Sequence, residues 1–214
     1  TIISKICSKK KLKQFIHISA LGVEKAKDSL YAISKLNGEK NIINNFSKST
    51  ILRPSLVYSV DDNFTTNMMS LLSILPFFPL YYEGKTKFSP IHVSEMADII
   101  LNIVNKNICS EIIECVGPDI LTFREIIEKL LILIDKKTIL LPLPYIIAKI
   151  NAALLGKFPR PLITIDQLKL LKYDNILTRE NKSNFDLGVK SELKFEDEVK
   201  KYAYMWKKGG QYSK

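Results

Sequence analysis

A tyrosine and a lysine four residues apart, Tyr31 and Lys35, constrain this chain more than any other feature of its sequence. Residues at this spacing lie one turn apart on the same face of a helix. Short apolar runs stand on either side, at residues 15–18 and 50–58. This order predicts a βαβ unit in a parallel sheet. On such a helix the Lys35 ammonium would lower the pKa of the Tyr31 phenol, ordinarily about 10, toward a range that suits proton transfer.

The same pair also arises in an ordinary amphipathic helix, because Tyr and Lys are both common here. The rest of the chain favours the βαβ interpretation, since strand-like and helix-like segments continue to alternate, which predicts an α/β fold with a parallel sheet. Strands are predicted at residues 14–19, 50–57, 87–93, 111–116 and 138–142. Helices are predicted at 28–46, 62–74, 95–106, 122–135, 143–155, 163–172 and 195–207.

Two stretches are predicted to be loops, the apolar segment 75–82 with its two prolines and the polar segment 174–193. The apolar loop has two interpretations: it lines a pocket or docks a membrane or partner, or it is a buried crossover between lobes. The last helix carries an apolar stripe at helical spacing that is predicted to be buried. Its members are Phe195, Val199, Tyr202, Ala203 and Trp206.

A set of motifs surrounds the Tyr31 helix and continues beyond it. They are Phe15-Ile-His-Ile-Ser-Ala-Leu-Gly22, Tyr31-x-x-x-Lys35-x-x-Gly38-Glu39, Ile51-Leu-Arg-Pro-Ser-Leu-Val-Tyr58, Phe88-Ser-Pro-Ile-His-Val93 and Cys115-Val-Gly-Pro118. Together they resemble the extended or atypical branch of the short-chain dehydrogenase/reductase superfamily. Within that branch the chain is most similar to the NADPH-binding accessory subunit of respiratory complex I and its bacterial homologues. The resemblance covers roughly residues 12–145.

The resemblance implies a Rossmann-type architecture in two parts. Residues 1–110 would form the C-terminal part of the NAD(P)-binding domain, and residues 111–214 a smaller α/β lobe on the substrate side with the C-terminal helices. The glycine-rich turn G-x-x-G-x-x-G, which presents helix amides to the pyrophosphate in this superfamily, is absent from these 214 residues. We therefore expect the first strands and helices of the domain to precede Thr1.

The resemblance also assigns roles to particular residues. Tyr31 would pass a proton, and Lys35 would bind the nicotinamide ribose of NADP or NAD. Ser19 would donate a hydrogen bond to the substrate oxygen. The segment that passes beside the nicotinamide would consist of Pro54, Ser55, Leu56 and Val57. Arg53, just before it, is expected to form a salt bridge rather than to contact the cofactor.

The position of the hydroxyl donor decides between two functional classes. Active relatives usually carry their Ser or Thr one or two positions later, which here is Ala20 or Leu21. Without the hydroxyl, the chain would be a cofactor-holding complex I subunit with little or no turnover. With it, the alternative is an NAD(P)-dependent reductase, epimerase or dehydratase, acting on a nucleotide sugar or a quinone-pathway intermediate. The choice between NAD and NADP stays open.

Charge and composition limit the classes of partner that the chain is expected to bind. The net charge is +10, but the lysines are scattered and no aromatic-basic interleaving is present, which argues against nucleic acid. Contact between a basic face of the protein and anionic lipid stays an open alternative. Cys7, Cys109 and Cys115 have no metal-ligand spacing, and with only two histidines no metal site is expected. No apolar run reaches the ~18 residues of a membrane span. The expected location is cytoplasmic, with peripheral contact to the inner membrane left open.

Overall fold

The computed structural model describes residues 2–143 and 163–212. Its helices are α1 (Ile2–Lys9), α2 (Leu30–Asn45), α3 (Thr65–Leu72), α4 (Val93–Asn105), α5 (Phe123–Leu133), α6 (Ile165–Leu170) and α7 (Phe195–Ala203). Its strands are β1 (Phe15–Ile18), β2 (Ser49–Pro54), β3 (Val57–Tyr58), β4 (Phe77–Tyr81), β5 (Lys87–Phe88), β6 (Ile91–His92), β7 (Ile112–Cys115), β8 (Leu121–Thr122), β9 (Ile139–Leu143) and β10 (Lys182–Ser183). Short 3₁₀ turns cover Tyr82–Gly84 and Tyr204–Trp206.

A four-stranded parallel sheet in the order β1–β2–β7–β10 confirms the α/β prediction. Strand β1 pairs with β2 and helix α2 connects them, so the Tyr31–Lys35 pair lies in the predicted βαβ unit. Three further pairs, β3–β6, β4–β9 and β5–β8, lie outside this sheet. Because β7 and β10 follow residue 110, the sheet extends past that point, and the division of the chain at residues 110 and 111 stays a prediction.

Helix α2 begins where its sequence indicates. Ser29 has extended backbone angles and its hydroxyl accepts a hydrogen bond from the amide of Ala32, as an N-cap does. The helix ends at Asn45, and the amide of Phe46 closes it on the carbonyl of Ile42. Helix α5 begins with a capping box between Thr122 and Glu125.

Two apolar clusters form most of the core. One packs α4 against the sheet, through Met96, Ile99 and Ile103 on the helix and Leu52 and Ile113 on the strands. The other gathers α3, α5, α7 and β4. All five residues of the stripe predicted on the last helix are buried, which confirms that prediction, although the α-helix ends at Ala203 and Trp206 lies in the following 3₁₀ turn.

Several predicted boundaries were wrong. Segment 75–82 is not a loop: it contains β4. The proline within this strand, Pro79, is tolerated because β4 pairs only with β9 among the described strands. The single strand at 87–93 is two short strands, β5 and β6, and α4 already begins at Val93. The polar segment 174–193 holds β10, which is too short to leave a sequence pattern. Residues 144–155 of the helix predicted at 143–155 lie outside the described part of the chain.

Candidate functional site

The structure brings Tyr31 and Lys35 together at the carboxyl end of β1. The Nζ atom of Lys35 lies 5.8 Å from the centroid of the Tyr31 ring. The same ammonium donates a hydrogen bond to the carbonyl of Ile18, the last residue of β1, at 3.3 Å. An ammonium has three donors, so this contact leaves capacity for others. Tyr31 is 45% exposed, so its phenol is accessible from solvent.

The pKa of Tyr31 is shifted in the direction opposite to the one expected. Partial burial raises the pKa of the phenol above its ordinary value of 10.0. The sequence argument had predicted that the Lys35 ammonium, which lies near the Tyr31 ring, would lower this pKa. The direction of this shift favours the protonated phenol, which donates a hydrogen bond.

Ser19 follows β1 directly and is 3% exposed. Its amide donates to the carbonyl of Leu52 at 2.7 Å, which extends the β1–β2 ladder by one residue. Its hydroxyl is buried and has no hydrogen-bond partner among the described residues. A buried hydroxyl without a partner is costly, because it has lost its hydrogen bonds to water. The residues at the two later positions, Ala20 and Leu21, carry no hydroxyl.

The segment 54–57 lies at the carboxyl end of β2 but faces the protein. The Ser55 hydroxyl is 2.8 Å from the carbonyl oxygen and 2.7 Å from Oδ1 of Asn175, and it accepts from the amide of Ser89 at 3.1 Å. The carbonyl of Leu56 accepts from the amide of Ile91. Pro54 pairs with Cys115, and Val57 belongs to β3. These internal contacts fix the segment to the chain around Asn175, Ser89 and Ile91. A role beside a nicotinamide stays a prediction.

Asn175 is a residue that sequence reasoning missed. Besides its contacts with Ser55, its Nδ2 donates to the carbonyl of Leu21 at 2.6 Å, and its amide donates to the carbonyl of Lys87 at 2.7 Å. It therefore joins the chain after β1, the chain after β2 and strand β5. Asn175 lies 154 residues from Leu21, so no local pattern could reveal it.

Arg53 forms the predicted salt bridge, and its partner lies on the Tyr31 helix. Its guanidinium binds the carboxylate of Glu39 through two hydrogen bonds of 3.0 and 2.7 Å, and it lies 3.3 Å from Glu24. Burial opposes its charge most strongly, but the hydrogen bond and charge of Glu39, with the charges of Glu24 and Glu114, hold the pKa of Arg53 above its ordinary value. Since Glu39 is on α2, the pair fixes this helix to β2.

Asp166 of α6 is the second residue that the sequence did not reveal. Its Oδ1 accepts from the amide of Leu30 at 2.8 Å, and its Oδ2 accepts from the amide of Tyr31 and the hydroxyl of Ser29, both at 3.0 Å. Burial opposes ionisation of Asp166, but these hydrogen bonds outweigh it and hold its pKa below the ordinary value. The amides of Leu30 and Tyr31, in the first turn of α2, are thus hydrogen-bonded by a carboxylate from a distant segment of the chain.

The Tyr31 phenol and the Lys35 ammonium at this edge of the sheet are donors of the kind that could bind ribose hydroxyls. The Ser19 hydroxyl lacks a partner among residues 2–143 and 163–212, the Tyr31 phenol is exposed, and the Lys35 ammonium has donors to spare. In the same described part of the chain, no group of three or more His, Cys, Asp or Glu residues is placed to hold a metal ion. None of the helices described there is long and apolar enough to cross a membrane.

The chain is similar to curated subunits of the mitochondrial NADH dehydrogenase. It is 27% identical over 178 residues to the Arabidopsis thaliana NADH dehydrogenase (ubiquinone) 1 alpha subcomplex subunit 9, covering 78% of this chain and 44% of that protein. It is 25% identical over 189 residues to the Neurospora crassa NADH-ubiquinone oxidoreductase 40 kDa subunit, covering 87% and 49%. The Mus musculus subunit 9 is 24% identical over 202 residues, with 91% and 53% covered. The chain thus spans about half the length of these relatives, all named as mitochondrial.

Solved structures show the same fold. The UDP-glucuronic acid 4-epimerase from Bacillus cereus, in complex with UDP-glucuronic acid and NAD, matches with a TM-score of 0.64 at 18% identity, over 94% of this chain and 64% of that one. The dTDP-glucose 4,6-dehydratase from Streptomyces venezuelae, with NAD bound, matches with a TM-score of 0.64 at 16% identity, over 95% and 63%. No family model matches the chain. The resemblance that the sequence motifs predicted, to complex I subunits built on an epimerase/dehydratase-like Rossmann fold, is confirmed.

Proposed function

We propose that this chain supplies the nicotinamide end of an NAD(P)-binding subunit associated with respiratory complex I, with weak or no turnover. The observation that carries the proposal is the arrangement of Tyr31 and Lys35 at the carboxyl end of β1, in a chain whose homologues are complex I subunits. Lys35 would donate to the ribose hydroxyls, and Tyr31 would donate to the ribose or to a substrate oxygen. When bound, the nicotinamide supplies hydride chemistry.

Weak turnover is supported by the residues that follow β1, because the two positions at which active relatives usually carry a Ser or Thr are Ala20 and Leu21 here, which have no hydroxyl. Burial also raises the pKa of the Tyr31 phenol, away from the range that suits proton transfer at neutral pH. The buried Ser19 hydroxyl is the one feature that favours the alternative, an NAD(P)-dependent reductase, epimerase or dehydratase. Measurable carbonyl reduction or sugar epimerisation that Ser19→Ala abolishes would select that alternative.

The test of cofactor binding uses the longest native polypeptide that carries these residues, with NADPH and NADH titrated by calorimetry. Lys35→Ala removes a charged donor worth roughly 1.5–3 kcal/mol, so affinity should fall about 10- to 100-fold. Lys40→Ala is the matched control, because Lys40 is exposed on the same helix but points away from Tyr31 by its spacing. Equal affinity of the Lys35 and Lys40 variants would refute the assignment.

The complex I association is tested separately. The paired strands β4 and β9 expose apolar side chains on one face, with Phe77 and Ile139 directly paired and 52% and 58% exposed. Exposed apolar patches of this kind commonly mark interaction surfaces. We expect the native protein to co-sediment with complex I at the membrane surface and Phe77→Ser with Ile139→Ser to release it. A native protein that fractionates away from complex I would contradict the proposal.

A further inference from the structure

We infer that Asp166 is a positioning residue for Tyr31, holding the first turn of α2 in place from a segment 135 residues further along the chain. The inference deepens the proposed function and rests on it, because Tyr31 and Lys35 serve the cofactor only if their helix is held against the sheet edge. Asp166 itself touches the backbone of Tyr31, through the 3.0 Å bond from its amide, and not the phenol.

Apart from the Ser29 cap and the buried Ala32, little else holds the first turn of α2. Its own sequence has no acidic residue there, so Asp166 supplies the negative charge that a helix N-terminus favours. The side chains of Leu30 and Tyr31 are 74% and 45% exposed and therefore anchor the turn weakly. The bonds from the amides of Leu30 and Tyr31 to one carboxylate consequently set the direction in which the phenol leaves the helix.

Asp166 is placed firmly enough to do this. Its helix α6 begins with a capping box between the N-cap residue Thr164 and Gln167 in the first turn. Three residues after Asp166, the Nζ of Lys169 donates to the carbonyl of Asp28 at 2.6 Å, just before the α2 cap. Contacts of Leu170 and Tyr173 with an apolar group that includes Ala32 complete the docking of this segment.

The test compares Asp166→Ala and Asp166→Asn with Asp197→Ala, since Asp197 is an exposed aspartate in the first turn of another helix, α7. The first readout is amide hydrogen exchange in the native protein. Loss of this capping carboxylate should speed exchange at Leu30 and Tyr31 about tenfold in Asp166→Ala and less in Asp166→Asn, which keeps one acceptor. Exchange in α4 and α5 should stay unchanged in every variant, as should exchange at Leu30 and Tyr31 in Asp197→Ala. Unchanged exchange at Leu30 and Tyr31 would overturn the inference.

The second readout separates positioning from simple stabilisation. Each Asp166 variant is combined with Lys35→Ala, and NADPH affinity is measured well below the melting temperature. If Asp166 positions the Tyr31–Lys35 pair, Lys35→Ala should lower NADPH affinity about threefold or less in the Asp166→Ala background. In the otherwise unaltered protein, the same substitution should lower it tenfold or more. Additive losses would overturn the inference while leaving the proposed function standing. An unaltered protein that binds no NADPH would overturn the proposed function and this role together, whatever the exchange data show.

Discussion

Replacing Glu39 by Gln tests whether the buried ion pair with Arg53 holds the Tyr31 helix on the sheet. Glu39 and Arg53 are 2% and 6% exposed, and the guanidinium is bound through two hydrogen bonds. Glutamine keeps the size of the side chain and one acceptor but removes the charge. Arg53 would then keep only Glu24, at 3.3 Å, as a direct ion-pair partner.

Breaking a buried pair by removing one partner typically costs about 3–5 kcal/mol, because the other charge stays buried. The remaining contact with Glu24 and the retained amide acceptor place Glu39→Gln at the lower end, about 3 kcal/mol. For a domain of this size, that corresponds to a melting temperature lowered by roughly 6–12 °C. Arg53→Met should cost more, because it leaves the carboxylates of Glu39 and Glu24 without their cation.

The assay is thermal and urea unfolding followed by circular dichroism. Glu83→Gln is the matched control, since Glu83 also pairs with a cation, Lys85, but both side chains are more than half exposed. Exposed pairs contribute little, so this variant should melt like the unaltered protein. If Glu39→Gln and Glu83→Gln melt at the same temperature, the pair does not hold α2 and the reasoning fails.

Two further predictions concern ionisation and reactivity. Burial, and then the charge of Lys35, lower the pKa of His17. At a pH between this lowered pKa and the unfolded value of about 6.5, the unfolded chain therefore binds more protons than the folded chain. Stability in urea should therefore fall as the pH drops below about 6.5, and His17→Gln should flatten this slope; an unchanged slope would contradict the prediction. Burial raises the pKa of the Cys115 thiol to about 12, so in the native protein a thiol reagent should modify the half-exposed Cys109 first, as peptide mass spectrometry would show. Equal labelling of the two would count against this burial.

Local sequence patterns predicted the parts of the site that lie close together in the chain. Tyr31, Lys35 and Ser19 belong to one βαβ unit, and its strand order and helix cap could be derived from apolar periodicity and the Ser29 signal. Their joint placement at one sheet edge follows from that unit alone. The sequence argument was wrong about the pKa of Tyr31, because it counted the Lys35 charge and left out the opposing effect of burial.

The parts of the site that could not be predicted come from distant segments. Asp166 bonds to Leu30 across 136 residues and Asn175 to Leu21 across 154, and contacts of this length leave no periodic signal near either partner. The strand β4 was missed for a different reason. Pro76 and Pro79 argue against a strand in general, and Pro79 is acceptable within β4 because the described part of the chain pairs this strand on one side only.

The long-range bonds at the start of α2 also bear on how the protein is made. Tyr31 and Asp166 are 135 residues apart, and at roughly 5–20 residues per second a ribosome needs about 7–27 s to pass from one to the other. During that interval β1, α2 and β2 can pair locally, but the amides of Leu30 and Tyr31 have no carboxylate to bind. The site is therefore finished late, when the segment that contains α6 emerges and docks. A translational pause placed before Asp166 would prolong the stage in which the Tyr31 end of the helix is frayed.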